Sequence, residues 1–279
     1  MKTVTIIGTG LLGGSLALAL KDKSLAEYVV GVDACPENRV AALQRGLVDE
    51  FMPLDKAVEI SDLIVLAIPV DAIPLEAVKI LNKVNSQVVM DMGSTKGELC
   101  EVIGKHPRRG RFVASHPMWG TEKSGPMAAE HGAFTGRAVV ICQSERSDAD
   151  AIAIVENLYT QLGMPIKYMQ PEDHDMHTAY ISHISHITSY ALALTVLEKE
   201  REDSQIFDLA SAGFATTVRL AKSSPSMWTP IFLKNKYNVL DVLRENIHQL
   251  QIFRKLIEQD DAKGIEALIT KANGVGRIL

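Results

Sequence analysis

The 279-residue chain has few cysteines and no long apolar stretch, and both shortages restrict what it can be. Its three cysteines, Cys35, Cys100 and Cys142, show no paired spacing, so neither a disulfide framework nor a zinc site is predicted. No stretch approaches the ~20 apolar residues that a membrane-spanning helix needs, so no membrane partner is expected. The most apolar helical stretch, Ile187–Leu197, is predicted to be a buried core helix.

An excess of positive charge is also missing. The net charge is −5, which argues against a dedicated nucleic-acid-binding protein, because such a protein normally carries a basic face. Met1 leads directly into a strand-like segment without a charged leader and apolar core, so no secretory signal is predicted. Together with the unpaired cysteines, this favours a reducing, cytoplasmic location. The length suits two domains or one large one.

A glycine-rich turn lies between a predicted strand and a predicted helix near the start of the chain. Lys2–Ile7 is rich in β-branched residues, Ser15–Leu20 is helix-forming, and Tyr28–Val32 is a second predicted strand that ends at Asp33. The turn itself consists of Gly8, Thr9, Gly10, Leu11, Leu12 and Gly13. In this strand–turn–helix–strand frame, with an acid after the second strand, the G-x-G-x-x-G spacing predicts a dinucleotide site.

Each glycine of the turn has its own physical reason. Gly8 permits the tight turn, Gly10 lets backbone N–H groups approach a pyrophosphate, and Gly13 lets the helix pack closely on the strand. The partial positive charge at the helix N-terminus favours the anion. The pyrophosphate of a dinucleotide is therefore expected against this turn.

Asp33 favours NAD over NADP. Its carboxylate can accept hydrogen bonds from ribose hydroxyls, whereas a 2′-phosphate at ~4 Å would be repelled by about 1 kcal/mol per unit charge in open water. At an effective dielectric constant of ~20 the repulsion is about 4 kcal/mol. Arg39 could offset it, because arginine is the usual partner of a 2′-phosphate, but a solvated position on the predicted helix Glu37–Gly46 is the preferred interpretation. NAD is the predicted cofactor.

The strand pattern continues through the first half of the chain. Further strands are predicted at Asp62–Ile68, Gln87–Met90, Arg111–Ala114, Gly136–Cys142 and Pro165–Tyr168. Their continuous apolar character is typical of a sheet covered on both faces, so the predicted class is α/β with a Rossmann-type, doubly wound, mainly parallel sheet. Ligands of such sheets bind outside the carboxyl ends of the strands, which brings the glycine turn, Asp33, Pro69, Ser94 and His116 toward one crevice.

His116 follows a predicted strand within Ser115–Gly125, where the chain must leave the sheet and turn. Histidine titrates near neutral pH, so this position suits proton transfer, although a lone histidine is more often an ordinary loop residue. Ser94 has two interpretations that do not exclude each other. It can cap the helix that follows it, or it can hold a substrate hydroxyl next to the histidine.

Near Pro171 the strand signals stop and helix-forming residues take over. We therefore predict a nucleotide-binding domain at 1–170 and a helical domain at 171–279. A helical domain after a Rossmann domain supplies the other wall of a cleft, often with a subunit contact. Its last amphipathic helix, Asp241–Glu258, suits internal packing or a dimer surface.

Four histidines cluster early in the helical half: His174, His177, His183 and His186. A shared metal is not predicted, because on one continuous helix the step from 177 to 183 rotates by about 240° and separates the two pairs. His174 and His177 stand among charged neighbours and are predicted to be solvated at a helix start. His183 and His186 are either hydrogen-bonded core histidines or polar groups that line the cleft.

Arg219 is a lone arginine in the uncharged segment Ala212–Ala221. Its apolar neighbours predict burial, and a buried arginine requires a carboxylate or phosphate partner. Trp228, a few residues later, is predicted to belong to the core.

With these residues placed, the chain resembles the prephenate/arogenate dehydrogenase family of tyrosine biosynthesis. The resemblance covers essentially the whole length, and its most diagnostic part is His116–Gly125, with the sequence HPMWGTEKSG. The other segments that carry it are Gly8–Gly13 with Asp33, Ala67–Val70, Asp91–Gly97, Ser182–His186 and Gly213–Trp228.

The resemblance implies an oxidative decarboxylation in which His116 accepts the proton of the ring 4-hydroxyl while hydride leaves C4 for the nicotinamide. It implies that Ser94 orients the hydroxyl and that Arg219 binds a substrate carboxylate. The remaining implied substrate contacts are His183, His186, Gly120, Thr121 and Glu122, and the implied cofactor contacts beyond the glycine turn are Ala67, Pro69 and Ser94. It also implies a homodimer through the helical domain.

The sequence departs from the family pattern at Ala215 and Thr216, where some relatives carry a lysine and an acid. A less cationic pocket, with the carboxylate of Glu122, would suit the amine of arogenate, so an arogenate dehydrogenase is one alternative. A 3-hydroxyacid-type dehydrogenase is a second, although its lysine base has no persuasive counterpart in the helical half. A catalytically silent NAD-binding protein is the third.

Overall fold

The computed structural model describes residues 1–201 and 203–277, so positions 202, 278 and 279 of the predicted helical domain lie outside the described residues. Strands and helices alternate through the first part of the chain. The strands are β1 (Thr3–Ile7), β2 (Tyr28–Val32), β3 (Glu50–Phe51), β4 (Leu63–Leu66), β5 (Val88–Asp91), β6 (Phe112–Pro117), β7 (Val139–Cys142) and β8 (Ile166–Met169). The helices between them are α1 (Leu11–Asp22), α2 (Pro36–Gln44), α3 (Leu54–Ile60), α4 (Ile73–Leu81), α5 (Gly97–Gly104) and α6 (Ala149–Gln161).

In the described part of the chain these strands form one eight-stranded sheet in the order β3-β2-β1-β4-β5-β6-β7-β8. All neighbours are parallel except β6 and β7. Ile7 lies opposite both Val32 and Leu66, so β1, β2 and β4 end at the same edge of the sheet. The predicted α/β class with a doubly wound, mainly parallel sheet is confirmed.

Apolar side chains cover the sheet on both faces. One layer includes Leu16 of α1 and Val155 of α6, and the other includes Ile80 of α4 and Ile103 of α5. Because both faces are covered, the central strands are continuously apolar, and all four residues of β4 are buried. Trp228 from the helical half joins the second layer, as predicted for a core residue, and packs the two halves together.

From residue 171 onward the described chain is helical. It contains α7 (Pro171–Thr178), a π-helical turn (Ala179–His183), α8 (Ile184–Glu200), α9 (Ala212–Thr217), α10 (Pro225–Lys234), α11 (Lys236–Glu258) and α12 (Ala262–Ala272). None of the helices in the described ranges is both long enough and apolar enough to cross a membrane.

The helical half leaves large apolar side chains exposed, and this corrects the prediction of a buried helix at Ile187–Leu197. Among the described residues of α8 only Ser189 is buried, while Leu194 is 65% exposed and Leu197 48% exposed. Other exposed apolar side chains of this half include Phe207, Leu209, Leu233, Tyr237, Leu240, Ile247, Leu250, Ile257 and Ile269. An apolar helix can be covered by another subunit as well as by its own core, and the sequence pattern does not distinguish the two.

Candidate active site

The glycine turn joins β1 to α1 at the edge of the sheet where β1, β2 and β4 end. Gly8 has φ +91°, and a Cβ there would lie 2.4 Å from the carbonyl oxygen of Ala67. A Cβ on Gly13 would lie 2.0 Å from the carbonyl oxygen of Gly8. Around the Cβ position of Gly10, in contrast, no non-neighbouring atom of the described residues lies within 4 Å. Two glycines therefore permit close packing, and the third leaves open space in front of the N-terminus of α1.

Asp33 is fixed where β2 ends, beside this turn. Its Oδ2 accepts hydrogen bonds from the backbone N–H and the hydroxyl of Thr9, both at 2.9 Å, and its Oδ1 accepts the N–H of Cys35 at 2.9 Å. The exposed Arg39 stacks 5.3 Å from the ring centroid of Phe51. An open cradle at a helix N-terminus and a fixed carboxylate fit the pyrophosphate and ribose of NAD.

His116 lies on β6 near the end of that strand, and its imidazole contacts a second imidazole from the helical half. Its Nδ1 lies 2.8 Å from Nε2 of His174, and Nδ1 of His174 lies 2.8 Å from Oδ1 of Asp175. His174 is 1% exposed, so the prediction that it is solvated is wrong, whereas His177 is exposed. The charged neighbours of His174 suggested solvent exposure, but α7 has a buried polar face that includes this residue.

Asp175 also explains why Ser94 is not the cap of α5. The N-cap residue of this helix is Lys96, and its backbone N–H donates to Oδ1 of Asp175 at 2.8 Å. The N–H of Gly97 donates to Oδ2 of Asp175 at 2.8 Å. The capping carboxylate thus comes from the helical half, and the first interpretation of Ser94 is wrong. Ser94 is half-buried just beyond β5, the strand next to the one that carries His116.

Burial and neighbouring positive charge lower the pKa of His116 well below its usual range. Loss of hydration is the main cause, and His174, Lys96 and His183 add to it. The Lys96 ammonium is fully buried in an ion pair with Asp91. The imidazole of His116 is therefore neutral at neutral pH and has a lone pair available to accept a proton.

His183 and His186 lie close to Trp228 in the helical half. His183 closes the π-helical turn and is 1% exposed, and burial lowers its pKa to about 4. Its Nδ1 lies 3.2 Å from the amide nitrogen of Asn235. The half-buried ring of His186 stacks on Trp228 with 3.4 Å between centroids. His183 therefore matches the core interpretation, while His186 keeps an accessible edge.

Arg219 pairs with Glu122, in the loop that follows β6, with 2.7 Å between Nη1 and Oε2. The expected carboxylate partner is present, but the Arg219 side chain is 53% exposed, so its predicted burial is wrong. The apolar neighbours that suggested burial are themselves exposed or half-buried. In the same loop, Gly120 is exposed and Thr121 half-buried. Burial lowers the pKa of the His186 imidazole, and the positive charge of Arg219 lowers it further.

No metal centre emerges from this arrangement. Across residues 1–201 and 203–277, no group of three or more His, Cys, Asp or Glu side chains is placed to hold a metal ion. Cys35, Cys100 and Cys142 are free thiols.

Two family models match successive parts of the chain. Residues 16–168 match "Prephenate dehydrogenase, nucleotide-binding domain", and residues 170–271 match "Prephenate dehydrogenase, dimerization domain". The chain belongs to the prephenate dehydrogenase family. The matched region begins after the glycine turn, so the geometry around Gly10 is separate support for a nucleotide site.

Individual proteins agree with the family match. The prephenate dehydrogenase of Bacillus subtilis is 32% identical over 267 residues, which cover 94% of this chain and 72% of that protein. The crystal structure of Aquifex aeolicus prephenate dehydrogenase with hydroxyphenyl propionate and NAD+ has a TM-score of 0.90 and 30% identity, covering 100% of this chain and 99% of that one. Synechocystis arogenate dehydrogenase has a TM-score of 0.77 and 27% identity, covering 98% of both chains.

Family membership confirms the predicted resemblance and the enzyme class, an NAD-dependent oxidoreductase, and leaves the 3-hydroxyacid alternative without support. Sequence reasoning missed the contact between His174 and His116 and the role of Asp175 as a cap. The sequence of α7 contains a pattern that indicates a buried polar face. His174, Asp175 and Thr178 share one face of a helix whose other face carries charged residues, and all three are buried.

Proposed function

We propose that this protein oxidatively decarboxylates prephenate to 4-hydroxyphenylpyruvate with NAD, in tyrosine biosynthesis, and that His116 is its catalytic base. The observation that carries this proposal is a neutral imidazole near the strand ends, in the same sheet as the NAD cradle, with its Nδ1 already engaged by His174. Such a base contributes about 10²–10⁴-fold to a rate.

The reaction requires one base, one hydride acceptor and groups that bind the two carboxylates of the substrate. The glycine turn and Asp33, with Ala67 and Pro69 beside them, would hold NAD, which would supply the hydride acceptor when bound. His116 accepts the proton of the ring 4-hydroxyl as hydride leaves C4, and Ser94 orients that hydroxyl. The bond from C1 to the ring carboxylate breaks, its electron pair completes the aromatic ring, and CO2 leaves. The proton then returns from His116 to the product oxygen, so no net proton is released.

Arg219 and His186 are the proposed carboxylate-binding groups, with His183 beside them. Prephenate is a dianion, so the Arg219 guanidinium would be its main partner, and His186, whose Nδ1 already lies 3.1 Å from the backbone oxygen of Ser182, would donate to a carboxylate only when its Nε2 is also protonated. The loop residues Gly120, Thr121 and Glu122 would face the side-chain end of the substrate. Because the carboxylate of Glu122 could also hold an amine, arogenate remains the second candidate substrate.

The proposed organisation has two functional units that meet near residue 170. The last strand ends at Met169 and α7 begins at Pro171, which supports a nucleotide-binding unit at 1–170 and a substrate-binding unit after it. The exposed apolar side chains of the helical half support a homodimer through this unit. A cytoplasmic location is proposed because all three cysteines are free thiols and the relatives are biosynthetic enzymes.

The test is to incubate the purified protein with prephenate or arogenate, each with NAD or NADP, and to follow the reduced cofactor. We expect the highest kcat/KM with prephenate and NAD. The His116→Asn variant should lose about 10²–10⁴-fold in kcat while its NAD affinity stays near that of the wild type. Preferred turnover of arogenate would establish the alternative substrate, and NAD binding without turnover of either would establish a silent NAD-binding protein.

A further inference from the structure

The carboxylate of Asp175 is surrounded by donors. Each of its oxygens accepts a backbone N–H of the α5 N-terminus, from Lys96 and from Gly97, both at 2.8 Å. Such a position favours an anion, which has no proton to donate. Oδ1 also lies 2.8 Å from Nδ1 of His174, so the proton of that contact belongs to His174.

This contact determines which proton His116 carries. Burial lowers the pKa of His174, so this imidazole is neutral, and with its single proton on Nδ1 its Nε2 can only accept. The Nδ1 of His116, 2.8 Å away, must then be the donor. In the opposite tautomer two lone pairs would face each other across that distance. The nitrogen of His116 that is left without a proton is Nε2.

We propose that Asp175 is a positioning residue that acts through His174 to hold His116 in the tautomer with its free lone pair on Nε2. The inference rests on the proposed function insofar as that lone pair receives the substrate proton. The three groups come from both halves of the molecule, since His116 lies on β6 whereas His174 and Asp175 lie on α7.

Other groups around the two imidazoles keep the hydrogen bonds from Asp175 through His174 to His116 in this protonation state. The buried Lys96 ammonium, paired with Asp91, disfavours a second proton on His116 and on His174. His183 faces the same region and has its Nδ1 against the amide of Asn235. That amide also donates to the backbone oxygen of Asp175 at 2.6 Å, which fixes the position of the carboxylate-bearing residue.

Nuclear magnetic resonance of the full-length protein labelled with ¹⁵N-histidine reads the tautomer directly. Long-range ¹H–¹⁵N correlations show which ring nitrogen carries the proton, and the His116 signals are assigned by their loss in His116→Asn. We expect a proton on Nδ1 in the wild type and a loss of this preference in Asp175→Ala, which leaves no side-chain acceptor for His174. A wild-type His116 with its proton on Nε2 would overturn the proposal. This measurement needs no substrate, so it stands apart from any failure of the prephenate assay.

Kinetics supply the second readout. Asp175→Ala should lower kcat with prephenate by up to about 10⁴-fold, the size of effect that follows loss of a tautomer-fixing aspartate, while KM stays nearly constant. Asp173→Ala, the same substitution at an exposed position of the same helix, should leave kcat unchanged. If Asp175 only caps α5, its replacement lowers the melting temperature but alters neither kcat per folded active site nor the tautomer, and the proposal fails.

A second pair of variants tests the proposal if Asp175→Ala does not fold. In His174→Gln the side-chain amide oxygen can reach the position of Nε2 and accept from His116, whereas in His174→Phe no acceptor remains. We expect kcat to be about tenfold or more higher for the glutamine variant. Equal kcat values for the two variants would overturn the proposal.

Discussion

The Arg219 guanidinium and the Glu122 carboxylate lie 2.7 Å apart although 97 residues separate them in the sequence. Their ion pair connects the loop after β6 to the helical half, and it is accessible to solvent on the arginine side. Exposed pairs of this kind contribute about 1 kcal/mol or less. A substrate carboxylate can therefore displace Glu122 from Arg219 at small cost.

This competition predicts that replacing Arg219 raises the KM for prephenate and that replacing Glu122 does not. Arg219→Gln should raise the KM for prephenate about tenfold or more, because a charged hydrogen bond to a carboxylate contributes about 1.5–3 kcal/mol. Glu122→Gln frees the guanidinium without removing it, so the KM for prephenate should fall or stay level. Steady-state kinetics measure both, and an equal rise in KM for both variants would contradict the competition.

Cofactor choice should depend on the charge of Asp33. Three hydrogen bonds from Thr9 and Cys35 hold this carboxylate, so it cannot turn away from a 2′-phosphate. Asp33→Asn keeps the shape and removes the charge, and the ratio of kcat/KM for NAD to that for NADP should fall at least about fivefold. Glu37→Gln, on the neighbouring helix α2, is the matched control and should leave the ratio unchanged.

Gly8 and Gly10 should respond differently to an added methyl group. Gly8→Ala places a Cβ 2.4 Å from the Ala67 carbonyl oxygen at φ +91°, so it should lower the melting temperature of the protein without NAD. In Gly10→Ala the added methyl group meets no non-neighbouring atom of the described chain within 4 Å, so this melting temperature should stay constant while the Kd for NAD rises. Thermal melts and NAD titration of both variants separate the two effects, and a matching loss of stability in Gly10→Ala would contradict them.

Stability should fall as the pH drops below about 6.5, before most carboxylates titrate. Burial is the first cause of the lowered pKa of His116, His174, His183 and His186, so between their folded and unfolded pKa values the unfolded state binds more protons. Their contribution is complete above the unfolded pKa and is lost as pH decreases. For His183, whose pKa is lowered to about 4, the contribution to the free energy of unfolding is about 3 kcal/mol.

Urea unfolding at pH 7.5 and at pH 5 measures this loss. His183→Gln should reduce the difference between the two pH values, while the matched control His177→Gln, at an exposed position, should leave it unchanged. A free energy of unfolding that is the same at both pH values would show that these imidazoles are not buried in the neutral form.

Much of the sheet could be predicted because its signals are local. Runs such as Leu63–Leu66 are apolar since both faces are covered, and the spacing of Gly8, Gly10 and Gly13 belongs to a single turn. The two-residue strand Glu50–Phe51 was missed because so short a pairing leaves no pattern in the sequence.

The errors occur where distant segments meet. His174 is buried because Asp175 accepts the backbone N–H groups of Lys96 and Gly97, and no local window contains both segments. Arg219 does have apolar neighbours, but they do not indicate burial, because in this chain those neighbours lie at the surface.

The hydrogen bonds from Asp175 to α5 and to His174 mean that one carboxylate both joins the two domains and orients the imidazoles. The nucleotide-binding half by itself would retain the NAD cradle, but its His116 ring would be free to exchange its proton between both nitrogens. The tautomer of His116 is thus set across the contact between the nucleotide-binding half and the helical half.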